Sequence, residues 1–170
     1  MKPSAIVYTS NTGSAAQYAA LLAKETALPV YSLAEAVKKL PRGTEILYVG
    51  WLMAGTIKGY KKAAKRFAVQ AVCAVGMFET GTQTEYVRKT NQLPSELPLF
   101  TLQGNLDRNK LHGLYRLMID IMRKGVTKGL SEKKDRTPEE DSILSMMTNG
   151  TGRVKAENLK DVLAWLAGRQ

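Results

Sequence analysis

The sequence predicts an α/β protein: a three-layer, doubly wound parallel sheet of five strands, held in one domain over residues 1–170. Three observations predict it. Short runs rich in β-branched and aromatic residues alternate with stretches of helical periodicity as far as Leu102. Three of those runs are apolar without alternation, as parallel strands covered on both faces are. Their strand–helix rhythm is that of βαβ units. A chain of 170 residues can bury roughly two thirds of its unfolded surface as one domain.

The elements follow in order. SAIVYT (Ser4 to Thr9) is the first strand, and a helix runs from about Thr12 to Ala27. LPVYSL (Leu28 to Leu33) is a short second strand, and AEAVKKL (Ala34 to Leu40) is a short helix ended by Pro41 and Gly43. EILYVGW (Glu45 to Trp51) is the third strand, followed by a helix with a basic face over Ile57 to Ala68. QAVCAVGMF (Gln70 to Phe78) is the fourth strand, and TQTEYVRKTNQL (Thr82 to Leu93) is its helix. LPLFTL (Leu97 to Leu102) is the fifth strand.

The remainder differs in character, with a basic helical and loop extension at about 104–137. LHGLYRLMIDIMRK (Leu111 to Lys124) carries a wide apolar helical stripe, most of which is expected to cover the sheet. GVTKGLSEKKDR (Gly125 to Arg136) reads as a loop. Thr137, Pro138 and Glu140 stand where an N-cap, an N1 proline and a capping-box glutamate belong. NGTG (Asn149 to Gly152) is a turn, and AENLKDVLAWLAG (Ala156 to Gly168) is a final amphipathic helix.

The formal charge is +10, which suits an anionic partner: nucleic acid, anionic lipid or an acidic small molecule. KGYKKAAKRF (Lys58 to Phe67) holds five basic residues and no acid. Such clusters are equally well a solvated surface. No apolar run approaches the ~20 residues of a membrane span. Cys73 is the only cysteine, so no internal disulfide forms, which fits a reducing cytoplasm. It lies within AVCAVG and is expected as a buried small hydrophobe. His112 is the only histidine and is expected at the surface.

In an open parallel sheet, ligands bind outside the carboxyl ends of the strands. TSNTGS (Thr9, Ser10, Asn11, Thr12, Gly13, Ser14) follows the first strand. Hydroxyls and backbone N–H groups at a helix N-terminus suit a phosphate, and Gly13 lets the backbone approach closely. An ordinary capped turn would use the same residues. The loop lacks the Gly-Lys-Ser/Thr of a P-loop and lacks GxGxxG, which weighs against Mg²⁺-triphosphate chemistry and against a dinucleotide site. No metal site is expected. Trp51, Leu52, Met53, Ala54 and Gly55 follow the third strand and could wall a flat ring or pack beneath a helix. Met77, Phe78, Glu79, Thr80 and Gly81 follow the fourth strand and offer backbone amides and a hydroxyl to a heteroaromatic edge.

At these residues the sequence resembles the flavodoxin-like family, whose phosphate loop reads Ser/Thr-x-Thr-Gly-x-Thr after the first strand. Ser10 to Ser14 match that motif, while Ala15 stands at the last threonine, with Ser14 the neighbouring hydroxyl. The resemblance implies non-covalent FMN, strand order 2-1-3-4-5, and ring-holding loops at Trp51–Gly55 and Met77–Gly81. Shuttle flavodoxins tend to be acidic, unlike this chain. The segment Gln103 to Gly125 resembles the branch of menaquinone-dependent protoporphyrinogen dehydrogenases, which implies a quinone or porphyrinogen substrate. Arg108, Lys110, Arg116, Arg123 and Lys124 would flank its propionates or meet an anionic membrane. The implied function is electron transfer or oxidoreductase chemistry through the flavin, with no side chain assigned as a catalytic acid or base. The alternative is a basic nucleotide- or nucleic-acid-binding module without a flavin. The basic clusters lack the interleaved aromatics of single-strand binders, which disfavours nucleic acid.

Overall fold

The computed structural model describes residues 2–106, 110, 111 and 113–168. Arg108 and His112 lie outside the described residues. The sheet is built from β1 (Ala5–Thr9), β2 (Val30–Ser32), β3 (Glu45–Met53), β5 (Ala68–Gly76) and β6 (Leu99–Gln103), all parallel. Their order is β2-β1-β3-β5-β6. With the short β4 (Thr56–Ile57) set aside, this is the expected flavodoxin-like order 2-1-3-4-5.

Three layers follow from the period-two alternation of side chains along the strands. Val7, Ile46, Tyr48, Val72 and Ala74 point to one face and pack with Leu33, Ala36, Ala63 and Val87. Those four come from α2 (Leu33–Lys39), α3 (Tyr60–Arg66) and α4 (Thr84–Asn91). Ile6, Leu47, Val49, Cys73 and Val75 point to the other face, against Tyr18, Leu22, Val162 and Leu166. These belong to α1 (Ser14–Thr26) and α7 (Lys160–Ala167). Cys73 is fully buried, as expected, and burial pushes its thiol well above the usual range.

Three elements depart from the sequence expectation. Trp51 to Gly55 is not a plain loop: β3 continues to Met53 and turns back antiparallel into β4, pairing Leu52 with Ile57 and Met53 with Thr56. Ala54 (φ 47°) and Gly55 (φ 78°) form the two-residue turn, and positive φ at both positions matches the twist of a tight hairpin. The basic helix consequently starts at Tyr60 rather than Ile57. A capping box at Ser32 and Glu35 starts α2 one residue earlier than the apolar pattern does.

The third departure is the largest. The segment from Gly125 is helical to Ser131, so α5 spans Gly113–Ser131. Gly125 and Gly129 fall on its exposed side, while Val126 and Leu130 keep the half-buried stripe going. Arg136 donates to the carbonyls of Leu130 (3.1 Å) and Lys133 (3.0 Å), satisfying acceptors that a helix end leaves open. α5 packs on α6 (Pro138–Thr148). None of its described side chains joins either core cluster, so the stripe does not cover the sheet. The expected capping box of α6 is present: Glu140 N–H donates to Thr137 Oγ1 (3.3 Å), and Thr137 N–H to Glu140 Oε2 (2.9 Å).

Candidate functional site

A cavity of about 560 Å³ opens at the carboxyl ends of β1, β3, β5 and β6. That is the switch point of the winding, where open α/β sheets bind ligands. Its size falls within the ~300–1,000 Å³ of small-molecule sites. Each side comes from a different part of the chain.

The first side is the loop after β1. Ser10, Asn11, Thr12 and Ser14 line the cavity. Gly13 (φ 101°) is the N-cap of α1, a conformation that glycine adopts without strain. No side chain caps α1, and its first turn carries no acid. Ser10 Oγ accepts instead from Gly13 N–H (3.1 Å), which folds the loop back on itself. Thr9 does not reach the cavity: its hydroxyl donates to the carbonyl of Lys58 (2.6 Å), beside the Tyr48 hydroxyl (2.9 Å). Tyr48 is buried there, and burial pushes its phenol up to about 12.

The second side is the β3–β4 hairpin, where Trp51, Leu52, Met53, Ala54 and Gly55 all line the cavity. Two α4 residues that the sequence did not single out set its position. The Tyr86 ring lies against Gly55, where an added Cβ would sit 2.7 Å from Cε1. Asn91 is buried and bonds the hairpin from both ends of its amide. Its Nδ2 donates to the carbonyls of Gly55 (2.7 Å) and Val87 (2.8 Å), and its Oδ1 accepts from Ile57 N–H (2.8 Å).

The third side is the end of β5, where Met77 and Phe78 line the cavity and Glu79, Thr80 and Gly81 do not. Hydrogen bonds to β6 turn this loop away. Thr80 Oγ1 accepts from Gln103 N–H (3.0 Å), and Gly81 N–H donates to Thr101 O (3.0 Å). Glu79 is exposed. A fourth side is Gly104 to Leu106 after β6, within the segment 103–125 singled out from the sequence. An added Cβ at Gly104 would sit 2.9 Å from Val75 and 3.1 Å from Ser14, so only glycine fits unaltered. Asn105 N–H donates to Ser14 Oγ (2.9 Å), and Asn105 Oδ1 accepts from Arg153 N–H (2.7 Å). The Ser14 hydroxyl is thus already an acceptor within the fold, and retains one proton to donate.

The roof comes from Leu111 and from Met118, Ile119 and Met122 of α5. The apolar stripe of α5 therefore faces the cavity. The site has two chemically distinct ends: hydroxyls, an amide and an uncapped helix N-terminus at one, and a Trp–Leu–Met–Phe–Met enclosure at the other. The groups with displaced pKa values line no part of it. Desolvation raises Tyr18, Tyr60 and Cys73, while hydrogen bonding lowers Glu35, Glu96 and Glu140. Among the described residues no group of three or more His, Cys, Asp or Glu is placed to hold a metal. No described helix is long and apolar enough to cross a membrane.

Fold and site together define an α/β protein with a two-ended cavity at the sheet's switch point. Comparison with protein-family models, with curated proteins and with solved structures found no match.

Proposed function

We propose that this cavity binds FMN non-covalently, and that the protein is a flavodoxin-like redox protein acting on a small apolar or anionic partner of the quinone or porphyrinogen kind. One observation carries this proposal. The hydroxyl- and amide-lined loop at the uncapped start of α1 opens into the same cavity as the aromatic and thioether walls. A phosphate suits the first environment, through backbone N–H groups and the helix dipole. A flat heteroaromatic ring suits the second.

Ser10, Asn11, Thr12 and Ser14 would hold the phosphate end, with Gly13 keeping the backbone close. Trp51 to Gly55, Met77 and Phe78 would enclose the ring and exclude water, and Met118 and Met122 would cover it. When bound, the flavin supplies the electron-transfer chemistry, and the protein supplies orientation and electrostatics. Among the described residues no acid lines the cavity, so none of their carboxylates opposes anionic charge on the ring.

The test is the visible absorbance of the purified protein, before and after incubation with FMN and desalting. A retained two-band flavin spectrum is expected, weakened in Thr12→Val. Absence of bound flavin in excess FMN would overturn the assignment.

A further inference from the structure

We propose that the outer face of α5 and the adjoining cavity rim dock on the surface of an anionic lipid bilayer. An apolar partner dissolved in the bilayer then reaches the cavity without crossing water. That second clause rests on the redox role proposed above; the docking itself does not.

Among the described residues, the exposed large hydrophobic side chains are Phe78 (47%), Tyr86 (50%), Leu117 (57%), Met118 (48%) and Ile121 (64%). Single exposed apolar residues are ordinary, but a group around one opening marks an interaction surface. Phe78, Tyr86 and Met118 line the cavity while remaining about half exposed, so they form its rim. Leu117 and Ile121 do not line it; they continue outward from Met118 along α5.

Charge selects the occupant. Leu117, Ile121, Lys124 and Lys128 are all exposed, at successive spacings of four, three and four residues. That is one helical stripe, apolar at one end and cationic at the other. α5 carries Arg116, Arg123, Lys124 and Lys128 against a single acid, Asp120, which is half-buried. Lysine stems lie along an apolar surface while their ammonium groups reach phosphate headgroups. Each lysine near such a surface contributes roughly fivefold in binding. α5 is not apolar enough along its length to span the bilayer, so it would lie in the interface. A second copy of a chain with net charge +10 would bring cations against cations.

The experiment is co-sedimentation of the full-length protein with phosphatidylcholine vesicles and with phosphatidylcholine–phosphatidylglycerol vesicles, with and without added FMN. Binding to the anionic vesicles alone is expected, with release at raised salt. The double variant Leu117→Asp, Ile121→Asp should bind more than about tenfold more weakly. Lys124→Glu with Lys128→Glu should lose at least as much and lose the salt dependence. All four side chains are exposed, so circular dichroism should stay that of the wild type. The proposal is overturned if the wild-type protein stays in the supernatant, or if both variants bind as it does. A dimer in solution that Leu117→Asp, Ile121→Asp dissociates would also overturn it, assigning the face to a second copy. Failure of the flavin assignment is separately visible, as missing absorbance with vesicle binding intact.

Discussion

Replacing Asn91 by alanine should loosen the β3–β4 hairpin that walls the cavity. The substitution removes the donor to Gly55 O (2.7 Å) and the acceptor for Ile57 N–H (2.8 Å). Ile57 is buried, so its N–H is left without a partner at a cost of about 1–3 kcal/mol. Gly55 is only half-buried, so water can replace the amide there, and that bond counts for about 1 kcal/mol. Together they predict a loss of about 2–4 kcal/mol, or roughly 1–2 M in the urea midpoint. Asn91→Asp is the sharper variant. It keeps the acceptor for Ile57 but sets a carboxylate against the carbonyls of Gly55 and Val87. Burial and those carbonyls raise the pKa of such a carboxyl in the folded state, so this variant should regain stability as the pH falls and the group protonates. Urea unfolding at neutral and acidic pH measures both, and retention of the proposed FMN ligand reports on the hairpin wall. A loss below about 0.5 kcal/mol for Asn91→Ala, with retention unchanged, would refute the clamp.

Three further outcomes test other parts of the structure. Gly104→Ala should cost about 1–3 kcal/mol and shift the Asn105 amide NMR signal, because its Cβ would press on Val75 and Ser14 at 2.9 and 3.1 Å; an unchanged protein would show that the loop after β6 gives way freely. Glu140 is held below its usual pKa, first by the Lys133 side chain and then by the Thr137 N–H, so its contribution is present at neutral pH and lost as the pH falls from about 5 through the depressed value. Glu140→Gln should therefore flatten the acid limb of the stability curve, and an identical curve would deny the role. Cys73 should resist a thiol reagent in the native protein and react only with unfolding; rapid native labelling would contradict its burial.

The fold was largely legible because its signals are local. Continuous apolar runs at β1, β3 and β5 announce strands buried on both faces. The Thr137–Pro138–Glu140 signature placed the start of α6, because a capping box is complete within four residues. The β3–β4 turn was hidden, since Ala54 at φ 47° offers no Asn-Gly or Asp-Gly cue. α5 was cut short because Gly125 and Gly129 read as breakers, whereas packing on α6 and the Arg136 bond to the Leu130 carbonyl carry the helix through.

The same division runs through the site. Composition and position alone marked the loops after β1, β3, β5 and β6, because a doubly wound sheet must bring those strand ends together. Which residues in them face the cavity was decided by partners far away in the chain. Lys58 holds Thr9, Gln103 and Thr101 turn Thr80 and Gly81 aside, and Asn105 engages Ser14. The Tyr86 contact and the Asn91 clamp have no local signature at all. A helix's apolar stripe shows in sequence that it will be covered, but not whether by a sheet, a lipid surface or the space above a ligand. Only the tertiary path of the chain, which lays α5 on α6 and across the strand ends, decided that Met118, Ile119 and Met122 close the cavity while Leu117 and Ile121 look outward.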